Sequence, residues 1–191
     1  MWSQMLNSQA GGQRETRMEM LQSYFQLRDR TDRFFESVAS RYSDQIVCKP
    51  GCSKCCIGGL TVVIVEAVAL GTGLGLSRDH IHIQAGQEPL RSDGPCAFLG
   101  DHGQCLAYAH RPLVCRTHGM PLLHPGEEEV SICDLNFGGI APHSSAVLNT
   151  ENLNAALFAA NIVYCQKEGL DSRSRIALDR LAELAGISVR K

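Results

Sequence analysis

Eight of the nine cysteines lie between residues 48 and 133, at Cys48, Cys52, Cys55, Cys56, Cys96, Cys105, Cys115 and Cys133. Thiolates in that number bind soft or borderline metal ions. The first four stand within nine residues, Cys48-Lys49-Pro50-Gly51-Cys52-Ser53-Lys54-Cys55-Cys56. A metal draws thiolates in from several directions at about 2.3 Å, and a Pro-Gly turn curls the chain so that neighbouring side chains converge. Consecutive side chains leave the backbone in different directions, so Cys55 and Cys56 are expected to serve different centres, or one of them to be no ligand. The remaining four are spread over 38 residues and meet only when the chain folds, which couples metal binding to folding. Eight thiols suffice for two closed four-cysteine zinc sites. They suffice equally for one four-iron four-sulfur (4Fe-4S) cluster, with four thiols left for a second centre or for chemistry.

Other residues around the cysteines carry polar chemistry. Arg111 and Arg116 flank Cys115 and are expected to donate hydrogen bonds to cysteine sulfurs or nearby carbonyls, tuning the charge of a bound cofactor. His110 and His118 are candidates for a supporting shell rather than for ligands, because eight thiols already complete the coordination. Asp134-Leu135-Asn136, just after Cys133, is a weaker candidate to face the metal, since Asp and Asn are ordinary turn formers. The spacing Cys48-x3-Cys52-x2-Cys55 also matches the cluster loop of radical S-adenosylmethionine enzymes. The strand-helix repeats of a barrel do not follow it here, so that reading is set aside.

Taken in order, Cys48-x3-Cys52-x2-Cys55-Cys56, Cys96-Ala97-Phe98-Leu99 and Cys105-Leu106-Ala107-Tyr108-x2-Arg111-Pro112-x2-Cys115-Arg116 resemble the CxxCxxCC family, the YkgJ-like cysteine-cluster proteins. The resemblance covers roughly Cys48 to Cys133. It implies that the eight cysteines form a zinc- or iron-chelating site, and it brings no substrate. The flagellin lysine N-methylase, a longer relative of this type, has a cysteine block associated with an iron-sulfur cluster, and that points to iron.

The elements that must position these groups read as an α+β fold. A small cysteine-rich core with short strands is framed by a long N-terminal helix and two C-terminal helices. Residues 1–13 read as a loose tail and 14–191 as a single domain, with the cysteine core at 46–136 and the helical frame at 14–45 and 149–187. Met18, Leu21, Phe25, Leu27, Thr31, Phe34, Val38 and Tyr42 recur at helical steps up to about Arg41, as in an amphipathic helix. Gly59 to Val65 reads as a strand or turn leading into a helix over Glu66 to Leu70. Two short strands around Gly100 to Gln104 read as a hairpin that brings Cys96 near Cys105. Thr150 or Asn149 is expected to cap a helix over Glu151–Lys167, ended by Gly169. Ser172 is expected to cap a last helix with Ile176, Leu181 and Leu184 inward and Gly186 at its end. Gly71-Thr72-Gly73-Leu74-Gly75 lacks the spacing of a dinucleotide loop and reads as a helix ending. Cys165 reads as a buried structural thiol, and Glu127-Glu128-Glu129 as a solvated loop.

Composition bounds the function class. The chain has 191 residues, 44% hydrophobic and 20% charged, with net charge −2, so nothing favours nucleic acid. No apolar run is long enough to span a bilayer, and the first residues lack the basic and apolar segments of a secretory signal. A cytoplasmic protein with free thiols is the expectation. The leading reading is an iron protein, holding a 4Fe-4S cluster in a structural or redox role, whose flanking helices meet a protein partner. The alternatives are a two-zinc structural protein, or an iron-dependent enzyme modifying a protein or peptide at a pocket near His110, His118 and Asp134.

Overall fold

The computed structural model describes residues 2–49, 51–90 and 93–187, with the side chains of residues 2–18 outside the description. Helix α1 spans Trp2–Arg41. It begins at Trp2, where the sequence reading placed a loose tail through residue 13. Three glutamines with Met5, Leu6 and Ala10 favour a helix in this stretch, against the cost of Gly11-Gly12. Met18, one of the expected inward residues, lies outside the described side chains. Farther along, Leu21, Tyr24, Leu27, Thr31, Phe35 and Val38 are buried at three- and four-residue steps, and Thr31 satisfies its hydroxyl on the Leu27 carbonyl at 3.0 Å. Phe25 and Phe34, expected inward, sit half-buried at the margins of that stripe.

After α1 come β1 (Thr61–Val63), α2 (Ile64–Gly73), α3 (Arg78–His82) and α4 (Leu113–Thr117). Then follow β2 (Leu122–Leu123), β3 (Val130–Ser131), β4 (Leu148–Asn149), α5 (Thr150–Glu168), β5 (Arg175–Ala177) and α6 (Leu178–Leu184). The architecture is α+β, with short strands in two small sheets. One sheet pairs β1 with β5 antiparallel, Val62 opposite Ile176, and the other has the order β3-β2-β4. No described helix is long and apolar enough to cross a membrane.

Every residue of α2 from Ile64 to Gly71 is buried. An all-apolar helix has no face to give to water, so it takes the centre, where α1, α3, α5 and α6 pack on it. A second, smaller core gathers Phe35, Val38, Met120, Leu122, Phe137 and Ala146. α1 contributes to both cores and ties them together.

The last helix differs from expectation. Ser172 does not cap it; residues 175–177 form β5, α6 starts at Leu178, and its N-cap position is Ala177. Ile176 is buried in the β1–β5 pair rather than on a helix face. A single inward isoleucine fits either period, and three residues are too few to decide between them. By contrast Asn149 caps α5 through its side-chain oxygen, which accepts from the Glu151 and Asn152 amides, and Gly169 closes α5 at φ 68°.

Candidate metal centres

Residues 45–49 are fastened to the segment after Cys133 by bonds that begin with one buried amide. Asn136 Oδ1 accepts from the Val47 amide at 2.9 Å, while its Nδ2 donates to Cys48 Sγ at 3.3 Å and to the Gly119 carbonyl. The Phe137 amide donates to the Gln45 carbonyl at 2.6 Å, and the Asn136 amide donates to the Cys133 carbonyl at 2.8 Å. Gly119 takes φ +84°, and a Cβ there would lie 3.0 Å from Cys48 Sγ and 3.5 Å from Cys133 Cβ. Cys48 and Cys133, 85 positions apart in sequence, therefore flank the same glycine.

Burial pushes the Cys48 and Cys55 thiols up, and the charges that add to the rise come from within one group. Cys48 feels Cys52, Cys133 and Cys55, with the Asn136 bond opposing, and Cys55 feels Cys52 and Cys133. Cys48, Cys52, Cys55 and Cys133 are thus neighbours in the fold, a first tetrad of thiols.

The second group is assembled by loop pairing. The Cys96 amide donates to the Cys56 carbonyl at 2.9 Å, Ile57 bridges Pro95, and Leu99 bridges Cys105. The expected approach of Cys96 and Cys105 is realised by this bridge rather than by a full hairpin, and Gly103 holds φ +75° in the turn. Cys115 arrives on α4, whose first amide, that of Leu113, donates to Glu66 Oε1 at 2.8 Å. Burial pushes Cys56 up to about 11, with further contributions from Cys55, Cys96 and Cys105. Burial pushes Cys115 up to about 12, with contributions from Cys96, Cys105 and Cys56. Cys56, Cys96, Cys105 and Cys115 form a second tetrad. The two tetrads adjoin at Cys55 and Cys56, which are consecutive in the chain.

All nine cysteines are free thiols. No three Cys, His, Asp or Glu side chains among the described residues stand in ready ligating geometry. The tetrads are neighbourhoods that must close, and such closure accompanies binding in sites gathered by folding. Their surroundings suit an ion with thiolates. The Asn136 amide N–H already points at a sulfur, Gly119 leaves space that a Cβ would fill, and Arg111 keeps a buried Nε with no hydrogen-bond partner among the described residues. Arg111 opposes the rise at both Cys56 and Cys115, so its cation stands beside the second tetrad. It is held there over the Tyr108 ring at 3.9 Å and on the Cys115 carbonyl at 3.3 Å.

The other sequence candidates separate by place. Arg116 pairs with Asp32 of α1 at 2.6 Å and donates to the Arg111 and Ala109 carbonyls, clamping the Cys115 loop to α1. His110 packs its ring where any Cβ at Gly73 would collide with it. Asp134 pairs with Lys54 at 3.0 Å on the exposed surface, bridging the two loops of the first tetrad, although exposed pairs contribute little stability. His118 lines a cavity of about 630 Å³ together with Cys55, Cys133, Asp134 and Glu66, and burial holds its pKa below the ordinary value. Cys165 is fully buried on α5, beside Asn161.

Sequence reasoning missed Gly119 and Glu66 as positioning residues. A lone glycine after a histidine carries no signal of its own. Glu66 was visible only as an acid inside an apolar run.

Residues 47–134 match the family model CxxCxxCC, described as "Putative zinc- or iron-chelating domain". No curated protein and no solved structure matches the chain. The matched span holds all eight clustered cysteines, so it is residues 47–134 of the chain that are similar to this family's domain.

Proposed function

We propose that the chain holds two four-thiolate metal centres, one zinc ion in each, and that they serve a structural role. The glycine that sets Cys48 beside Cys133, together with the loop pairing that joins Cys56 to Cys96 and Leu99 to Cys105, supports this reading. Four thiolates close the shell of a zinc ion and leave no position for substrate. The region they staple also needs staples. Between α2 and α5 the regular elements are two- to five-residue pieces, too short to be stable without crosslinks or tertiary support. The bound ions would supply positive charge that keeps the thiols of each tetrad ionised. Asn136 would orient Cys48, Glu66 would fix the helix that carries Cys115, and Arg111 would offset thiolate charge.

A second reading places 4Fe-4S clusters in the same tetrads. The Asn136 N–H on the Cys48 sulfur and the Arg111 cation beside Cys56 and Cys115 favour it, because such contacts tune cluster potentials. Anaerobic purification followed by zinc, iron and acid-labile sulfide analysis separates the two. Two zinc ions per chain without sulfide is the expected result. Iron with matching sulfide transfers the assignment to the clusters, and a folded chain that retains no metal overturns both.

A further inference from the structure

We propose that the cavity beside the first tetrad binds a small organic cation, an ammonium or guanidinium group carried on an apolar body. At about 630 Å³ it has the size of a small-molecule site. Its walls include Leu113, Met120, Leu153 and Leu157, which suit an apolar body. The polar groups decide the charge of the head. Glu66 lines the cavity as a buried residue, 2% exposed, and its Oε1 accepts from the Leu113 amide at 2.8 Å. Cys55 and Cys133 border the same space. Two cations stand at the rim, Lys54 paired with Asp134 and Arg175 bonded to the Thr61 hydroxyl and carbonyl, and the Arg175 charge also reaches Glu66. His118, whose pKa burial lowers, lines the same cavity. The interior thus presents a buried carboxylate between apolar walls, and a desolvated acid there gains from a cation that restores its ionised form. An anionic ligand would meet the opposite balance.

This role goes beyond holding metal and is tested separately from it. The metal-loaded full chain, with metal content assayed on each sample, is titrated with 2-phenylethylamine, 3-phenylpropionate and 2-phenylethanol, and amide shifts are followed by NMR. The amine is expected to give saturable shifts around Glu66, His118 and Leu157, while the carboxylate and the alcohol give none. Leu153→Trp, which fills the cavity, is expected to abolish the shifts with metal content unchanged, and Glu66→Gln to weaken binding about tenfold. Absence of saturable shifts with the amine, equal binding of the carboxylate, or undiminished binding in Leu153→Trp overturns the proposal. If Leu153→Trp does not fold, the ligand series on the unsubstituted chain decides. Loss of metal with amine binding retained counts against the two-centre reading alone.

Discussion

Gly119 concentrates two constraints in one position, a left-handed backbone at φ +84° and a sulfur where its Cβ would be. Alanine there meets both the backbone strain and the crowding of Cys48. Gly119→Ala is expected to cost about 1–3 kcal/mol and to lower metal content by one equivalent of two, measured by denaturation and metal analysis. A full two equivalents in the variant would separate Gly119 from the first tetrad. Asn136 and Phe137 belong to the same junction. Phe137 is buried with a positive φ of 62° and packs on Tyr42 at a centroid distance of 5.1 Å, a conformation that bulky residues adopt only when their surroundings over-determine it. Glu66 shows its burial through pH. Desolvation raises its carboxyl from the ordinary 4.5 to about 7, against the opposing Leu113 and Val63 amides. The native state thus holds the proton more tightly than the unfolded chain, so stability from this group is full below pH 4.5 and falls as pH rises through 7. The fall amounts to about 3 kcal/mol. Relative to Glu66→Gln, the unsubstituted metal-loaded chain is expected to lose that much between pH 4.5 and 8 in urea denaturation, and a parallel pH profile for the two would refute the assignment.

At the scale of elements, what was legible depended on whether a signal was local. The Asn149 cap and the Gly169 ending of α5 were readable because a cap satisfies the first amides of its own helix and a left-handed glycine closes the last turn. The partner of β1 was not, since Arg175-Ile176-Ala177 becomes a strand only by pairing with Thr61-Val62-Val63, more than a hundred residues earlier. Nor was the placing of Cys133 with Cys48 legible, because it depends on Gly119 and Asn136. The β1–β5 pair carries its own prediction. Ile176 is fully buried opposite Val62, so Ile176→Ala is expected to destabilise the chain by about 2–5 kcal/mol. Metal stoichiometry should stay unchanged, because no cysteine lies on this pair. Guanidinium denaturation with parallel metal analysis checks both, and loss of metal in the folded variant would mean that the strand pair positions the centres as well.

Across the whole molecule, α1 spans two apolar cores and the tetrads occupy the loop-rich chain that joins them, so binding, proton release and stability are coupled. Cys56 and Cys115, pushed up to about 11 and about 12 by burial first and by neighbouring thiols next, are protonated at neutral pH when no cation is present. Each must lose its proton to become a ligand, so apparent metal affinity rises with pH and binding releases protons. Competition with a chromophoric chelator is expected to show tighter binding at pH 8 than at pH 6.5. The partition then predicts how affinity divides. Cys133→Ser removes a member of the first tetrad and Cys96→Ser a member of the second, and each is expected to lose one equivalent while keeping the other. Cys133→Ser should lose its equivalent without slackening the loop pairing at Cys56 and Cys96, because that pairing rests on the Cys96 amide, the Ile57–Pro95 bridge and the Leu99–Cys105 bridge. Cys96→Ser should likewise leave the Asn136 bonds to Val47 and Gly119 in place. If either single substitution releases both equivalents, the eight thiols act as one centre and the division at Cys55 and Cys56 does not hold.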